Sequence, residues 1–378
     1  MARPGEPTAL FSDAATLLAP YLIEPSRATG AVLAVSGGPD SVALMRLAAE
    51  MQRDVLTVPI TVVTVDHGLR PNSRDEADAV AGWAASLGLP HRVLTWDGPK
   101  PRTRVQEAAR EVRYLLLAEF ARKVGASHVL TAHTLDDQAE TVLMRLARGS
   151  GVAGLAAMRV EAARHGIVLA RPFLSLRKAR LVAACRTEGW PFLEDPSNAD
   201  PRFTRARLRQ LLPMLEQEGL TPERLAALAL RAQRTEKALD SRANAVLAGM
   251  IRNNDEGRLE LDGAGLLAEP DEIVLRVLAR AIAVIVGEPA PASRLERLER
   301  FALRDLRPAL VGGSALKSNL GGALVRLAHD GRLILRPEPP RRRGRTKVFA
   351  QSVKTNQNAS AREAVIMPHS LGKGESRA

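Results

Sequence analysis

A chain of 378 residues, 46% hydrophobic and 25% charged, holds enough apolar material for two or three packed cores, which excludes a disordered or fibrous protein. Its one cysteine, Cys185, excludes an intrachain disulfide framework and a four-cysteine zinc site. A net charge of +12 with only 3% aromatic residues points to a polyanionic partner gripped by arginines rather than by stacked rings.

Residues 11–22 read as a short helix that leads into the apolar run Ala31-Val32-Leu33. Strands and helices then alternate. Val62-Val63-Thr64-Val65 is a β-branched strand, and Ser73-Arg74-Asp75-Glu76 has capping-box spacing for a helix to about Leu87. His91 to Trp96 predicts a third strand, Arg104 to Gly125 a long helix and His128 to Ala132 a fourth strand. Thr134 opens a helix that runs to about Arg148. Ile167-Val168-Leu169-Ala170 predicts a further strand, followed by a helix near Leu176–Glu188 and a polar turn at 194–201. Such alternation predicts a mostly parallel sheet covered on both faces, with ligands bound outside the carboxyl ends of its strands.

The texture changes near Thr221-Pro222-Glu223. Residues 222–250 are rich in Ala, Leu and Arg and read as helical, as do 271–286 and 293–305. The segment 322–337 reads as two strands joined at Asp330-Gly331. The expected organisation is a catalytic domain at 1–216, a mainly helical second domain ending in a β-hairpin at 217–337, and a basic, disordered tail at 338–378 that opens with Arg341-Arg342-Arg343. No apolar run has membrane-spanning length and the first residues lack a secretory pattern, so a cytoplasmic protein with no membrane partner is expected.

Three stretches fall at the carboxyl ends of predicted strands. In the first, Ser36, Gly37, Gly38, Pro39, Asp40 and Ser41 follow a strand and open a helix. Glycines there let a large anion approach backbone N–H groups, and the helix N-terminus faces the same spot. Asp40 is out of place in an anion cradle unless a metal ion lies between carboxylate and phosphate. The loop lacks the Gly-Lys-[Ser/Thr] ending of the Walker motif. In the second stretch, Asp66 and His67 form an edge fit for the nucleoside part of a nucleotide. The third carries His133, Asp136, Asp137 and Glu140, more carboxylates than a helix cap needs; beside a phosphate loop they invite Mg²⁺, an amine, or both. Arg110 and Arg113 could reach a phosphate from the long helix. Arg202, Arg205, Arg207 and Arg209 read as a track for a nucleic-acid backbone, with Arg202, Arg205 and Arg209 on one helical face.

The first loop resembles the pyrophosphate loop of the ATP pyrophosphatase superfamily. Val65-Asp66-His67-Gly68-Leu69-Arg70, the run from Glu107 to Tyr114, the run from Thr131 to Thr141 and Arg148-Gly149-Ser150-Gly151 follow it in order. With Arg171-Pro172-Phe173-Leu174 and Glu194-Asp195-Pro196-Ser197-Asn198, the series resembles the tRNA(Ile)-lysidine synthases over roughly residues 31–210. The second domain is similar to that family's helical domain more weakly, ending in Leu320-Gly321-Gly322-Ala323. The resemblance implies a Rossmann-like sheet of the adenine nucleotide alpha hydrolase-like kind. It implies that ATP adenylates O2 of the wobble cytidine of an isoleucine tRNA with a CAU anticodon, and that free L-lysine then displaces AMP to give lysidine. Ser36 to Ser41, with Asp66 and His67, would hold ATP; Asp40 and Asp137 would hold Mg²⁺; Asp137 and Glu140 would orient the lysine ammonium; His133 and Arg113 would lie near the reacting phosphate and base. Longer family members carry a further small C-terminal domain on the acceptor arm, in whose place this sequence is expected to offer only the hairpin and a basic tail. A homodimer is left open. The competing readings are a tRNA thiolase, disfavoured by the single cysteine, and a non-catalytic RNA-binding relative, disfavoured by the intact acids.

Overall fold

The computed structural model describes residues 9–339, apart from 25, 56, 70–72, 99, 102, 104, 195–199, 201, 203, 256 and 288–294. Arg70, most of the expected polar turn at 194–201 and nearly all of the tail therefore lie outside the described residues.

Helix α1 (Ala9–Leu22) leads into β1 (Ala31–Ala34), α2 (Pro39–Asp54), β2 (Ile60–Asp66), α3 (Ser73–Ser86), β3 (His91–Thr95), α4 (Val105–Lys123), β4 (His128–Thr131), α5 (Leu135–Leu146) and the short α6 (Val152–Leu155). Then come β5 (Glu161–Arg164), β6 (Ile167–Ala170), α7 (Lys178–Thr187), α8 (Thr204–Gln217) and the long α9 (Pro222–Met250). The first sheet has the order β3-β2-β1-β4-β6-β5, parallel throughout except for β5, which pairs antiparallel with β6. Strand β5 was not expected. His165 and Gly166 both have positive φ, the backbone of a two-residue hairpin turn.

Period-two alternation divides the sheet's side chains between two cores. Leu33, Val62 and Leu130 pack on one face with Leu18, Leu44 and Leu181. Val32, Val63 and Val129 pack on the other with Tyr114, Leu117 and Ala121 of α4. Both faces are covered, so β1, β2, β4 and β6 are largely buried, whereas the edge strand β3 holds no buried residue.

The expected hairpin is present as β10 (Ala323–Leu327) and β11 (Arg332–Pro337), and the structure builds it into a larger sheet. Strands β7 (Ile251–Asp255), β8 (Arg258–Asp262) and β9 (Leu316–Leu320) complete an antiparallel sheet of order β7-β8-β11-β10-β9. Helix α10 (Asp271–Val286) covers it. Helix α11 (Leu295–Arg300) passes through a π-helical stretch, Phe301–Leu306, into α12 (Arg307–Val311).

Helix α9 enters two cores. Leu225 and Ala229 pack with Ala139, Val142 and Leu143 of α5 and Leu212 of α8. Ala243, Val246, Leu247 and Met250 pack with Leu259, Leu261, Val274 and Leu278 of the C-terminal unit. Thr221 caps its N-terminus by accepting from the Arg224 N–H, and Pro222 suits the first helical position. Among the described residues no helix is long and apolar enough to cross a membrane.

Candidate active site

The loop after β1 turns at Gly37, whose φ of +88° disfavours any side chain, and a Cβ there would meet Leu193 Cδ1 at 2.6 Å. The Leu193 N–H donates to the Gly37 carbonyl at 2.9 Å, so the chain beyond α7 clamps the loop from outside. Gly38 caps α2 without a side chain and Pro39 follows, leaving the first turn of the helix facing the cleft with no side-chain cap. The Ser41 hydroxyl shapes the loop: it accepts from the Ser36 N–H at 3.1 Å and donates to the Gly38 carbonyl at 2.9 Å. The Ser36 hydroxyl lies 3.5 Å from it.

Asp40 sits in the first turn of α2, its side chain 17% exposed. Lys178 Nζ donates to its Oδ2 at 2.7 Å, while Oδ1 is buried with no hydrogen-bond partner. Burial pushes this carboxyl above its ordinary range, against the opposing pull of Lys178.

Across the sheet, α5 begins with a capping box. Asp137 Oδ2 accepts from the N–H and the hydroxyl of Thr134, both at 2.9 Å. Burial raises the Asp137 carboxyl, but its interaction with His133, these two donors and the charge of Arg205 outweigh it and hold it below the usual range. Glu140, one turn on and 2% exposed, accepts from Arg209 Nε at 2.5 Å, and Arg209 Nη2 lies 3.8 Å from Asp137. Burial pushes Glu140 upward, and Arg209 opposes it. Asp136 points elsewhere: it accepts from the Lys178 N–H at 2.6 Å and pairs with Arg177 at 3.3 Å. The expected trio of acids is thus a pair at the site and one anchor for α7.

His133 stacks its chemistry on a buried threonine. Thr131 Oγ1 donates to the Ala170 carbonyl at 3.3 Å and lies 2.8 Å from His133 Nδ1. Burial holds His133 far below its ordinary value, so the ring is neutral at neutral pH. At the other edge, Asp66 Oδ1 accepts from the Gly68 N–H at 2.8 Å and fixes the turn after β2. His67 Nε2 accepts from Arg113 at 3.2–3.3 Å, and its Nδ1 is buried without a partner. Burial, then the Arg113 charge, pushes His67 down to about 4. Arg113 and His67 are therefore one unit.

The arginine track divides. Arg202 precedes α8, is 84% exposed and pairs with Asp200 at 2.6 Å. Arg207 is exposed, with Nη1 on the Arg202 carbonyl at 3.1 Å. Half-buried Arg205 turns inward, where its charge acts on His133, Asp137 and Glu140 alike. Arg209 completes the acid pair. Sequence reasoning missed Lys178 as a site residue, and no spacing could have found it, since 138 residues separate it from Asp40. It also missed the cationic wall around buried Tyr114, with Arg110 5.2 Å and Arg164 4.3 Å from the ring centroid. Cys185 is buried behind the loop, with Sγ 3.5 Å from the Pro39 carbonyl; burial and the charge of Asp40 push its thiol up to about 11.

Among the described residues no group of three or more His, Cys, Asp or Glu side chains is arranged to hold a metal ion by itself. The open Oδ1 of Asp40 nonetheless fits Mg²⁺, which takes one or two carboxylates and completes its shell with phosphate oxygens and water.

A glycine-bent turn from strand to helix at the carboxyl edge of a parallel sheet, with an acid in its first turn, defines an ATP-binding PP-loop domain, and a family model of that description, "PP-loop domain", matches residues 13–215. A tRNA(Ile)-lysidine synthase of Methylobacterium sp. (strain 4-46) is 56% identical over 344 residues, 90% of this chain and 97% of the relative. Its counterpart from Methylobacterium nodulans is 57% identical, covering 85% and 94%, and that from Rhodopseudomonas palustris 50%, covering 82% and 91%. The chain belongs to the tRNA(Ile)-lysidine synthase family.

Proposed function

We propose that this chain ligates free L-lysine to C2 of the wobble cytidine of tRNA(Ile) with a CAU anticodon, at the expense of ATP and in the cytoplasm. The observation that carries the reading is the buried acid pair, Asp137 and Glu140, facing a cation beside the PP-loop; Arg209 shows that the pair accepts a positive group. In the first step the cytidine O2 attacks the α-phosphorus of ATP and the bond to pyrophosphate breaks. The backbone of Gly37 and Gly38 and the open first turn of α2 bind the departing pyrophosphate. Arg113, held by His67, stabilises negative charge on the phosphoryl oxygens. Mg²⁺ held by Asp40, with Asp137 nearby, would offset charge on the triphosphate.

In the second step the lysine ε-amine attacks C2, the bond from C2 to O2 breaks and AMP leaves with that oxygen. Asp137 and Glu140 orient the substrate ammonium, which must lose a proton before its amine attacks. Arg202, Arg205 and Arg207 and the C-terminal unit hold the tRNA.

The test supplies tRNA(Ile) transcript, ATP and labelled lysine to the full chain. Lysine enters the RNA only with ATP and only when the wobble base is cytidine, with one AMP formed per lysine. Binding of the tRNA without incorporation would refute the reading in favour of a binding module, and sulfur incorporation would refute it in favour of a thiolase.

A further inference from the structure

Lys178 stands outside every motif of the sequence and meets three parts of the molecule. Its Nζ donates to Asp40 Oδ2 on α2 at 2.7 Å, and its own N–H donates to Asp136 Oδ2 on α5 at 2.6 Å. The residue before it, Arg177, pairs with Asp136 at 3.3 Å, with Glu216 of α8 at 3.5 Å and with Glu223 of α9 at 2.7 Å. The start of α7 is thereby pinned to both edges of the cleft and to the two helices that lead into the C-terminal unit. This fixing has a specific result at Asp40: one oxygen is occupied and the other, buried and unpartnered, is left as the open valence. A carboxylate so deep in the fold is costly to keep unpaired and free to rotate when its cation is removed.

We infer that Lys178 is a positioning residue for the nucleotide step, holding Asp40 with Oδ1 turned to Mg²⁺–ATP, and that Arg177 sets Lys178 in register by tying it to α8 and α9. Lys178 acts through Asp40, so its effect vanishes when Asp40 can no longer carry charge. The inference rests on Asp40 serving ATP, as proposed above.

The experiment uses the full chain and reads Mg²⁺–ATP affinity by calorimetric titration and tRNA-dependent AMP release by kinetics. Lys178→Met is expected to weaken Mg²⁺–ATP binding about tenfold and to lower kcat by about 10²-fold, the scale of an ångström-level misplacement. Lys178→Arg keeps the cation and recovers most of the affinity. In an Asp40→Asn background Lys178→Met adds no further loss of affinity, which a general weakening of the fold would not produce. Equal penalties in the two backgrounds, or an affinity for Lys178→Met within about threefold of the parent, would overturn the inference. Should Lys178→Met not melt cooperatively, Lys178→Gln replaces it in the same cycle. The titration arm stands even if the RNA chemistry proves different: loss of lysine incorporation by the parent chain refutes the proposed function, while an unaltered cycle refutes the role of Lys178.

Discussion

Asp40 and His67 in the PP-loop cleft and Arg276 in the C-terminal unit are handled in opposite ways. In the cleft, Asp40 Oδ1 and His67 Nδ1 are buried without partners, and Arg110 meets the face of Tyr114, while Arg164 over the same ring pairs with Glu111. In the C-terminal unit, Arg276, 12% exposed, is closed on itself: it binds Glu236, Asp240 and Glu272 at 2.7–2.9 Å, and Arg280 also reaches Asp240. The second network needs nothing from outside. The first is an incomplete set whose missing members have the chemistry of a phosphate and a cation. Unsatisfied polar atoms cost stability, so the cleft gives up stability for binding, whereas the Arg276 network joins α9 to α10.

That contrast can be broken most directly at Asp40. Asp40→Asn is expected to lower ATP-dependent AMP formation by about 10³-fold while the melting temperature holds or rises, because a buried, half-satisfied charge has gone. Kinetics and a melting curve on the same preparation check it; a normal rate would remove Asp40 from the chemistry. Arg276→Met should do the reverse. It strands the buried carboxylate of Glu236, since Arg280 still reaches Asp240 and Glu272 is half-exposed, and destabilises the chain by about 3 kcal/mol, with ATP affinity of the folded protein unchanged, as urea titration and calorimetry would show. The smallest effect is expected at Cys185. With its thiol pushed up to about 11, alkylation by iodoacetamide at pH 8 should be negligible over an hour in the folded chain and complete in urea, read by mass spectrometry. Rapid alkylation of the folded chain would show that the wall behind the loop opens.

The alternation of strands with helices located β1 to β4 and β6, because β1, β2, β4 and β6 are short, largely buried runs dominated by apolar residues and β3 falls between two predicted helices. It could not reveal β5, whose Glu161-Ala162-Ala163-Arg164 has no apolar side to show, nor β7, whose Ile251-Arg252-Asn253-Asn254-Asp255 is a largely exposed edge. The C-terminal sheet therefore surfaced in the sequence only as its hairpin. At the site, Asp40, His133 and Asp137 were legible because each stands at a strand end or in a first helical turn, and Glu140 because it lies three residues beyond Asp137 on the same helix. Their partners were not. Arg209 meets Glu140 across 69 residues, and it had been expected to face nucleic acid rather than an acid. Hydrophobic period reports which face of an element is buried; it carries no information on which charge on another element will meet it.

Helix α9 has one further consequence. With 29 residues at about 1.5 Å each it is a strut of about 44 Å, seated at one end on the acid helix α5 and at the other in the C-terminal core. A strut of this kind behaves like a threaded rod. Inserting one residue at mid-length would swing the far sheet by about 100° while advancing it only about 1.5 Å, whereas seven residues would push it about 10 Å outward with its heading nearly restored. The spacing and heading of the two ends are thus set together by the length of a single helix.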